Sequence, residues 1–187
     1  MNNFKIQLDS ITSHLDLLHA ATEMPIQEAI VLLTHALKAR LPVLVCGNGG
    51  SAADAQHIAG EMVGKFLAER KALNVRALST DTSVITAWAN DVSYDTVFAR
   101  QVEAYAQPGG VLWAISTSGN SKNVLEAAKQ ARLEGMKVIG LTGEGGGAMA
   151  ALCDILIAVP ARHTPRIQEM HLMVYHYMCE AVERDFV

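Results

Sequence analysis

Two short loops of this 187-residue chain carry residue types that hold anions: Gly47-Asn48-Gly49-Gly50-Ser51 and Ser116-Thr117-Ser118-Gly119-Asn120-Ser121. Each follows an apolar run and precedes a helical pattern. A strand-to-helix loop of glycine and hydroxyl residues offers backbone N–H groups at the positive end of a helix dipole, a setting that suits a phosphate. In the first loop Gly49 and Gly50 permit close backbone approach, Ser51 fits a helix cap, and Asn48 can turn its amide inward. Taken alone, that loop also fits an ordinary tight turn. The second presents four hydroxyls, on Ser116, Thr117, Ser118 and Ser121, more than a plain turn needs and suited to several phosphate oxygens. Ser121 also fits an N-cap position. A third glycine-rich loop, Gly143-Glu144-Gly145-Gly146-Gly147, carries an acid and reads as a connecting turn.

A second kind of chemistry is available on the helices. His57 and Glu61 stand four residues apart on the helix opened by the first loop, so their side chains share a face. An imidazole and a carboxylate in that relation can share a divalent metal, and the same pair also fits a surface hydrogen bond. The last helix supplies Arg166, Gln168, Glu169, His171 and His176 among apolar neighbours. Asn90-Asp91 follows the apolar stretch 84–89, where a polar pair serves either a ligand or a helix end.

The elements that must position these groups are read from periodicity. Apolar runs near 42–46, 74–79, 111–115, 137–142 and 155–159 predict buried strands. Helical patterns fill 51–67, 82–89, 94–106 and 121–134, with a short helix after Gly147 and a long one from Thr164 onward. Nearly continuous apolar strands separated by helices predict an α/β fold, a three-layer α/β/α sandwich around a parallel sheet of about five strands. Both anion loops then lie at the carboxyl ends of strands. Residues 1–40 read as a pair of amphipathic helices: Ile6, Leu8, Ile11, Leu15 and Leu18 mark the first, and Pro25 opens the second. The chain is expected to be a single domain over 1–187, with 41–187 forming the sheet and its flanking helices. The N-terminal pair is expected to pack on another subunit in a homo-oligomer; covering its own sheet is the alternative.

Composition narrows the function classes. Half of the residues are hydrophobic and 18% are charged, as in an ordinary soluble globular protein. A net charge of −4 argues against a broad basic surface for nucleic acid. Cys46, Cys153 and Cys179 form no CxxC pair, so neither a disulfide framework nor a cysteine zinc site is expected, and buried thiols suit a reducing cytosol. The start lacks the apolar core of a signal peptide, and no run approaches the ~20 apolar residues of a membrane span. A cytoplasmic protein without a membrane partner is expected.

Seven segments carry a family resemblance: CGNGGSAADAQHIAGE (46–61), STDTS (79–83), AND (89–91), FARQVEA (98–104), ISTSGNS (115–121), LEGMKVIGLTG (133–143) and RIQEMH (166–171). On these the chain resembles, over nearly its whole length, the bacterial phosphoheptose isomerases of the sugar-isomerase (SIS) domain superfamily. The resemblance implies an SIS-type sheet and the conversion of sedoheptulose 7-phosphate to D-glycero-D-manno-heptose 7-phosphate through an enediol. It also implies a cytosolic role in heptose supply for lipopolysaccharide core, and a homotetramer with sites at subunit interfaces. Carried over by position, it implies that Asn48, Gly49, Gly50, Asn90, Asp91, Ser116, Thr117, Ser118 and Ser121 hold the sugar phosphate. Ser51 opens the adjacent helix, and Glu61 and Gln168 also meet the substrate. One zinc per subunit is implied on His57, Glu61, Gln168 and His176, with Glu61 as general base and His176 as general acid.

On one straight helix the eight residues from Gln168 to His176 rise roughly 12 Å. By spacing alone His171 is the nearer companion of Gln168; the resemblance selects His176. The chain departs from the family pattern at Lys65, where Arg is common, at Trp88-Ala89, where Ile-Gly is common, and at Val92-Ser93, where an aromatic-Gly pair is common. Besides isomerisation of another ketose phosphate, which the Trp88 neighbourhood leaves open, two other readings use the same loops. One is a non-catalytic adaptor of the replication-initiator protein, in which the equivalents of Glu61 and His176 are not Glu and His. The other is a sugar-phosphate sensor without turnover.

Overall fold

The chain enters through a single 35-residue helix, α1 (Phe4–Lys38), in the computed structural model, which describes residues 3–187. Asn3 caps it by accepting the Lys5 N–H at 3.0 Å. The expected pair of N-terminal helices is therefore one uninterrupted helix, with Pro25 inside it rather than at a helix start. A proline removes one intrahelical donor and crowds the preceding turn, but it does not force a break when packing on both sides holds the axis. Here Thr22, just before it, and Ile26, Ala29, Ile30, Leu33, Ala36 and Leu37 after it are buried. The helix closes with Leu41 N–H on the Ala36 carbonyl and Arg40 N–H on the Leu37 carbonyl, both at 3.0 Å, which puts Arg40 at φ 60°. That is a Schellman closure with arginine where glycine is usual.

The rest alternates as the apolar runs predict. In order come β1 (Val43–Cys46), α2 (Gly50–Val63), β2 (Val75–Ala77), α3 (Thr82–Asp91) and a 3-10 turn (Tyr94–Thr96) leading into α4 (Val97–Tyr105). Then follow β3 (Val111–Ser116), α5 (Lys122–Leu133), β4 (Lys137–Thr142), a 3-10 segment (Gly147–Leu152), β5 (Ile155–Ala158) and α6 (Thr164–Arg184). The strands are all parallel, in the order β2-β1-β3-β4-β5.

Alternating side chains divide the core into two layers, as the period of a strand requires. Val43, Val45, Val111, Trp113, Ile115, Ile139 and Leu141 face one apolar layer with α1, α2 and α6, and Leu44, Cys46, Leu112, Ala114 and Val138 face the other with α4 and α5. Strands buried on both faces explain why the apolar runs were continuous rather than alternating. The three cysteines are free thiols, and no helix among the described residues is long and apolar enough to cross a membrane.

The strand order positions the site. From β1 the chain moves to β2 on one side and later returns to β3 on the other, so the sheet has a switch point between β1 and β3. In open parallel sheets, ligands bind in the crevice outside the carboxyl ends at that point. The two anion loops are the connections leaving those two strands.

Candidate active site

Because β1 and β3 are paired, with Cys46 opposite Ala114, their loops emerge side by side. Asn48 and Asn123 tie them together: each side-chain amide donates to the other's oxygen at 2.8 Å. The Tyr94 hydroxyl also donates to Asn48 Oδ1, at 3.0 Å. In the second loop the Ser116 and Ser121 hydroxyls are 3.0 Å apart, and Ser118 Oγ accepts the Asn120 N–H at 3.1 Å. Gly49 and Gly50 are exposed, and their N–H groups make no hydrogen bond to a described residue. They remain free as donors at the start of α2.

Two expectations about caps change. Ser51 lies inside α2, which begins at Gly50 with Gly49 in the cap position, and its side chain is buried. Ser121 does occupy the cap position of α5, but its hydroxyl faces Ser116 instead of a helix N–H. The third glycine loop does more than connect. The Gly143 N–H donates to the Thr117 carbonyl at 3.0 Å, and the Met149 N–H to the Gly119 carbonyl at 2.9 Å. Gly119 sits at φ 65°, and a Cβ there would strike the Gly146 backbone, so the second loop rests directly on the third. Asn90 and Asp91 end α3, exposed and hydrogen-bonded to each other at 2.8 Å, before the chain turns back to bring Tyr94 to Asn48.

The helix groups assemble between α2 and α6, which pack together on one face of the sheet. His57 Nε2 lies 3.0 Å from Glu61 Oε1 and 3.4 Å from His176 Nε2. One ligand atom from each of the three lies within 4.8 Å of the others. Donors about 2.1 Å from a tetrahedral ion stand about 3.4 Å apart, and two imidazoles with one carboxylate are a zinc donor set that leaves a position open. The donor set therefore fits a divalent metal. His176 also packs edge-on against His57, Tyr175 and Phe66, with ring centroids 4.9, 5.0 and 5.7 Å away.

Gln168 does not join this group within one chain. Its amide lies against Gly50, where a Cβ would run into it, at the opposite end of the helix pair. The physical reason is the rise from 168 to 176 along an uninterrupted helix. Gln168 is thus beside the first anion loop and apart from the three metal-type ligands. His171, the nearer residue by spacing, points the other way: it is wholly buried, and among the described residues neither ring nitrogen has a hydrogen-bond partner. Burial pushes its pKa down to about 4, so the ring is neutral.

Sequence reasoning passed over the residues that brace the site. Tyr175, buried, stands 3.0 Å from His57 Nδ1 and donates to Asp54 Oδ1 at 3.4 Å. Arg70 and Glu183 form a buried ion pair, with Nε 3.1 Å from Oε1. The Arg70 guanidinium also donates to the Glu61, Met62 and Gly64 carbonyls at 2.8, 2.9 and 3.3 Å, closing the end of α2. Glu183, on α6, accepts the N–H groups of Phe66, Leu67 and Ala68 at 2.9, 2.6 and 2.8 Å. Burial alone would raise its carboxyl, but these donors and Arg70 outweigh it and hold the pKa below the usual range. The available signal was a Glu in the apolar stretch of a helix and an Arg in the loop after α2, which no spacing rule links. Asn123 was hidden the same way, as a polar residue on the buried side of a first helical turn.

A parallel sheet of this order, with paired anion loops at its switch point, is an open α/β fold built to bind a ligand there. The SIS domain family matches residues 8–143. The chain is 53% identical over 161 residues to the phosphoheptose isomerase of a Nitratiruptor species, covering 86% of each. Among solved structures, phosphoheptose isomerases from Neisseria gonorrhoeae and Francisella tularensis superpose with TM-scores of 0.92 and 0.94, at 42% and 34% identity. The first alignment covers 97% of both chains, the second 97% of this chain and 96% of the other. The chain belongs to the phosphoheptose isomerase family of SIS-domain proteins.

Proposed function

We propose that this isomerase converts sedoheptulose 7-phosphate to D-glycero-D-manno-heptose 7-phosphate, with the phosphate in the paired loops and the reacting carbons at His57, Glu61 and His176. The observation that carries this reading is the placement of two sites along α2. Seven residues, about 10 Å of helix, separate Gly50 at the anion loop from His57. That span is comparable with an extended seven-carbon sugar phosphate. Gly49, Gly50, Ser116, Thr117, Ser118 and Ser121 offer the donors for the phosphate, with Ser51 supporting the loop from inside. Asn48, Asn90, Asp91 and Gln168 are assigned to the sugar hydroxyls.

The reaction moves a proton between C1 and C2 through an enediol, so it needs a base for the C–H proton and an acid at the carbonyl oxygen. Glu61 has an oxygen for each neighbour: Oε1 meets His57, and Oε2 has no hydrogen bond to a described residue and is assigned the proton of the substrate carbon. His176, half-buried in the same cluster, is assigned the proton for the oxygen. His57, Glu61 and His176 would hold one zinc per subunit. Bound there, zinc would polarise the carbonyl and stabilise the developing charge. Retention of Glu61 and His176 in one cluster weighs against the adaptor and sensor readings.

Exposed Phe4, Ile6, Leu17 and Val31 on α1, at 75%, 60%, 56% and 69%, favour packing on another subunit, and the homotetramer rests on the family resemblance. The reading includes a cytoplasmic place in heptose supply for lipopolysaccharide, as the family resemblance implies.

Chain length is the test. Fructose 6-phosphate and ribulose 5-phosphate carry the same phosphate but shorten the reach to Glu61. They are expected to compete for the site, yet be turned over at least about tenfold more slowly than the seven-carbon ketose. Equal turnover of all three would contradict the proposed placement.

A further inference from the structure

An imidazole ligates a metal through Nε2 only while its proton sits on Nδ1, and the partner of Nδ1 decides how readily that form is held. The Nδ1 partner of His57 is the Tyr175 hydroxyl at 3.0 Å, itself 3.4 Å from Asp54 Oδ1. Resting on the metal-site reading above, we propose that Tyr175, backed by Asp54, is a positioning residue that accepts a hydrogen bond from His57 Nδ1–H when Nε2 is given to a divalent metal.

Two observations support it. Tyr175 is only 1% exposed, so its hydroxyl has no ready exchange with bulk water. Asp54 forms no ion pair among the described residues, and its buried Oδ2 has no partner, so the phenol is the one side-chain donor that its carboxylate meets.

The hydroxyl serves His57 in either tautomer, because it donates and accepts. Without metal, Nε2–H can donate to the Glu61 carboxylate at 3.0 Å, and the phenol proton can turn from Asp54 to Nδ1. With the Nε2 lone pair committed to a metal, that proton is released to solvent, Nδ1 takes one up, and the ring stays neutral. Nδ1–H then donates to the phenol oxygen while the phenol proton turns to Asp54. Phenylalanine supports neither arrangement.

The test titrates metal-stripped wild type, Tyr175→Phe and Asp54→Asn with Zn2+ against a chromophoric chelator, beside thermal unfolding of each metal-free protein. Tyr175→Phe is expected to bind zinc about 10–100-fold more weakly, with a metal-free midpoint close to wild type. Nitrogen-15 shifts of zinc-loaded wild type are expected to show His57 protonated at Nδ1. Asp54→Asn keeps the ring packing and decides the matter if Tyr175→Phe is itself destabilised: a smaller but clear loss of zinc affinity is expected. Wild-type affinity in Asp54→Asn beside a destabilised Tyr175→Phe would mean that Tyr175 only packs, and wild-type affinity in both would likewise overturn the inference. A wild type that binds no zinc would overturn the metal-site reading itself.

Discussion

Glu61 and His57 show how one residue pair acquires meaning only from a third. At four-residue spacing they fit a surface hydrogen bond as well as a metal site, and His176, 119 residues later, is what distinguishes the two. The choice between His171 and His176 was not legible in spacing. It turns on which face of α6 meets the sheet, and that face buries His171 while leaving His176 beside α2. His171 nevertheless has a measurable signature. Its ring titrates near pH 6.5 when unfolded and about 4 when folded. As pH falls through that window, the unfolded chain takes up a proton that the folded chain refuses, so stability present above pH 6.5 is lost. The loss approaches about 3 kcal/mol at the acid end. Urea unfolding of wild type and His171→Leu between pH 7 and 4 is expected to show the difference shifting progressively toward the variant; a difference constant with pH would contradict the buried neutral ring.

At the scale of elements, the strands were legible because each apolar run contains one, though the run 74–79 shortens to Val75–Ala77, the helix read over 51–67 ends at Val63, and that over 94–106 opens with a 3-10 turn. Pro25 was misleading, since a proline marks a helix start only where no tertiary contact carries the helix through it. The link between α2 and α6 was also invisible, because it depends on Arg70 and Glu183, 113 positions apart. Arg70 closes the end of α2 that carries Glu61, and Glu183 lies two turns beyond His176 on α6, so the pair fixes the distance between the two halves of the cluster. Removing one member of a buried pair leaves the other charge uncompensated, at about 3–5 kcal/mol. Glu183→Ala is therefore expected to lower stability by that amount in denaturant unfolding and to weaken zinc binding as well. A change under about 1 kcal/mol would show that the pair is dispensable.

Across the whole molecule, the sheet order puts the loops after β1 and β3 at one switch point, and the helices leaving them run back along the sheet. The anion loops were legible because glycine and hydroxyl residues sit where strands end. The rise between Gln168 and His176 was legible in their spacing, and the unbroken α6 keeps it, with the Gln168 amide against Gly50. Everything proposed for the site depends on Glu61 moving a substrate proton through an enediol at a metal-loaded cluster. Turnover of sedoheptulose 7-phosphate in deuterium oxide, with metal-stripped protein, zinc-restored protein and Glu61→Gln, tests that step. Deuterium is expected at C2 of the aldose with zinc, with little without it and a loss of about 10²–10⁴-fold in the variant. Product that forms without solvent deuterium, or a Glu61→Gln protein that exchanges as fast as wild type, would contradict it.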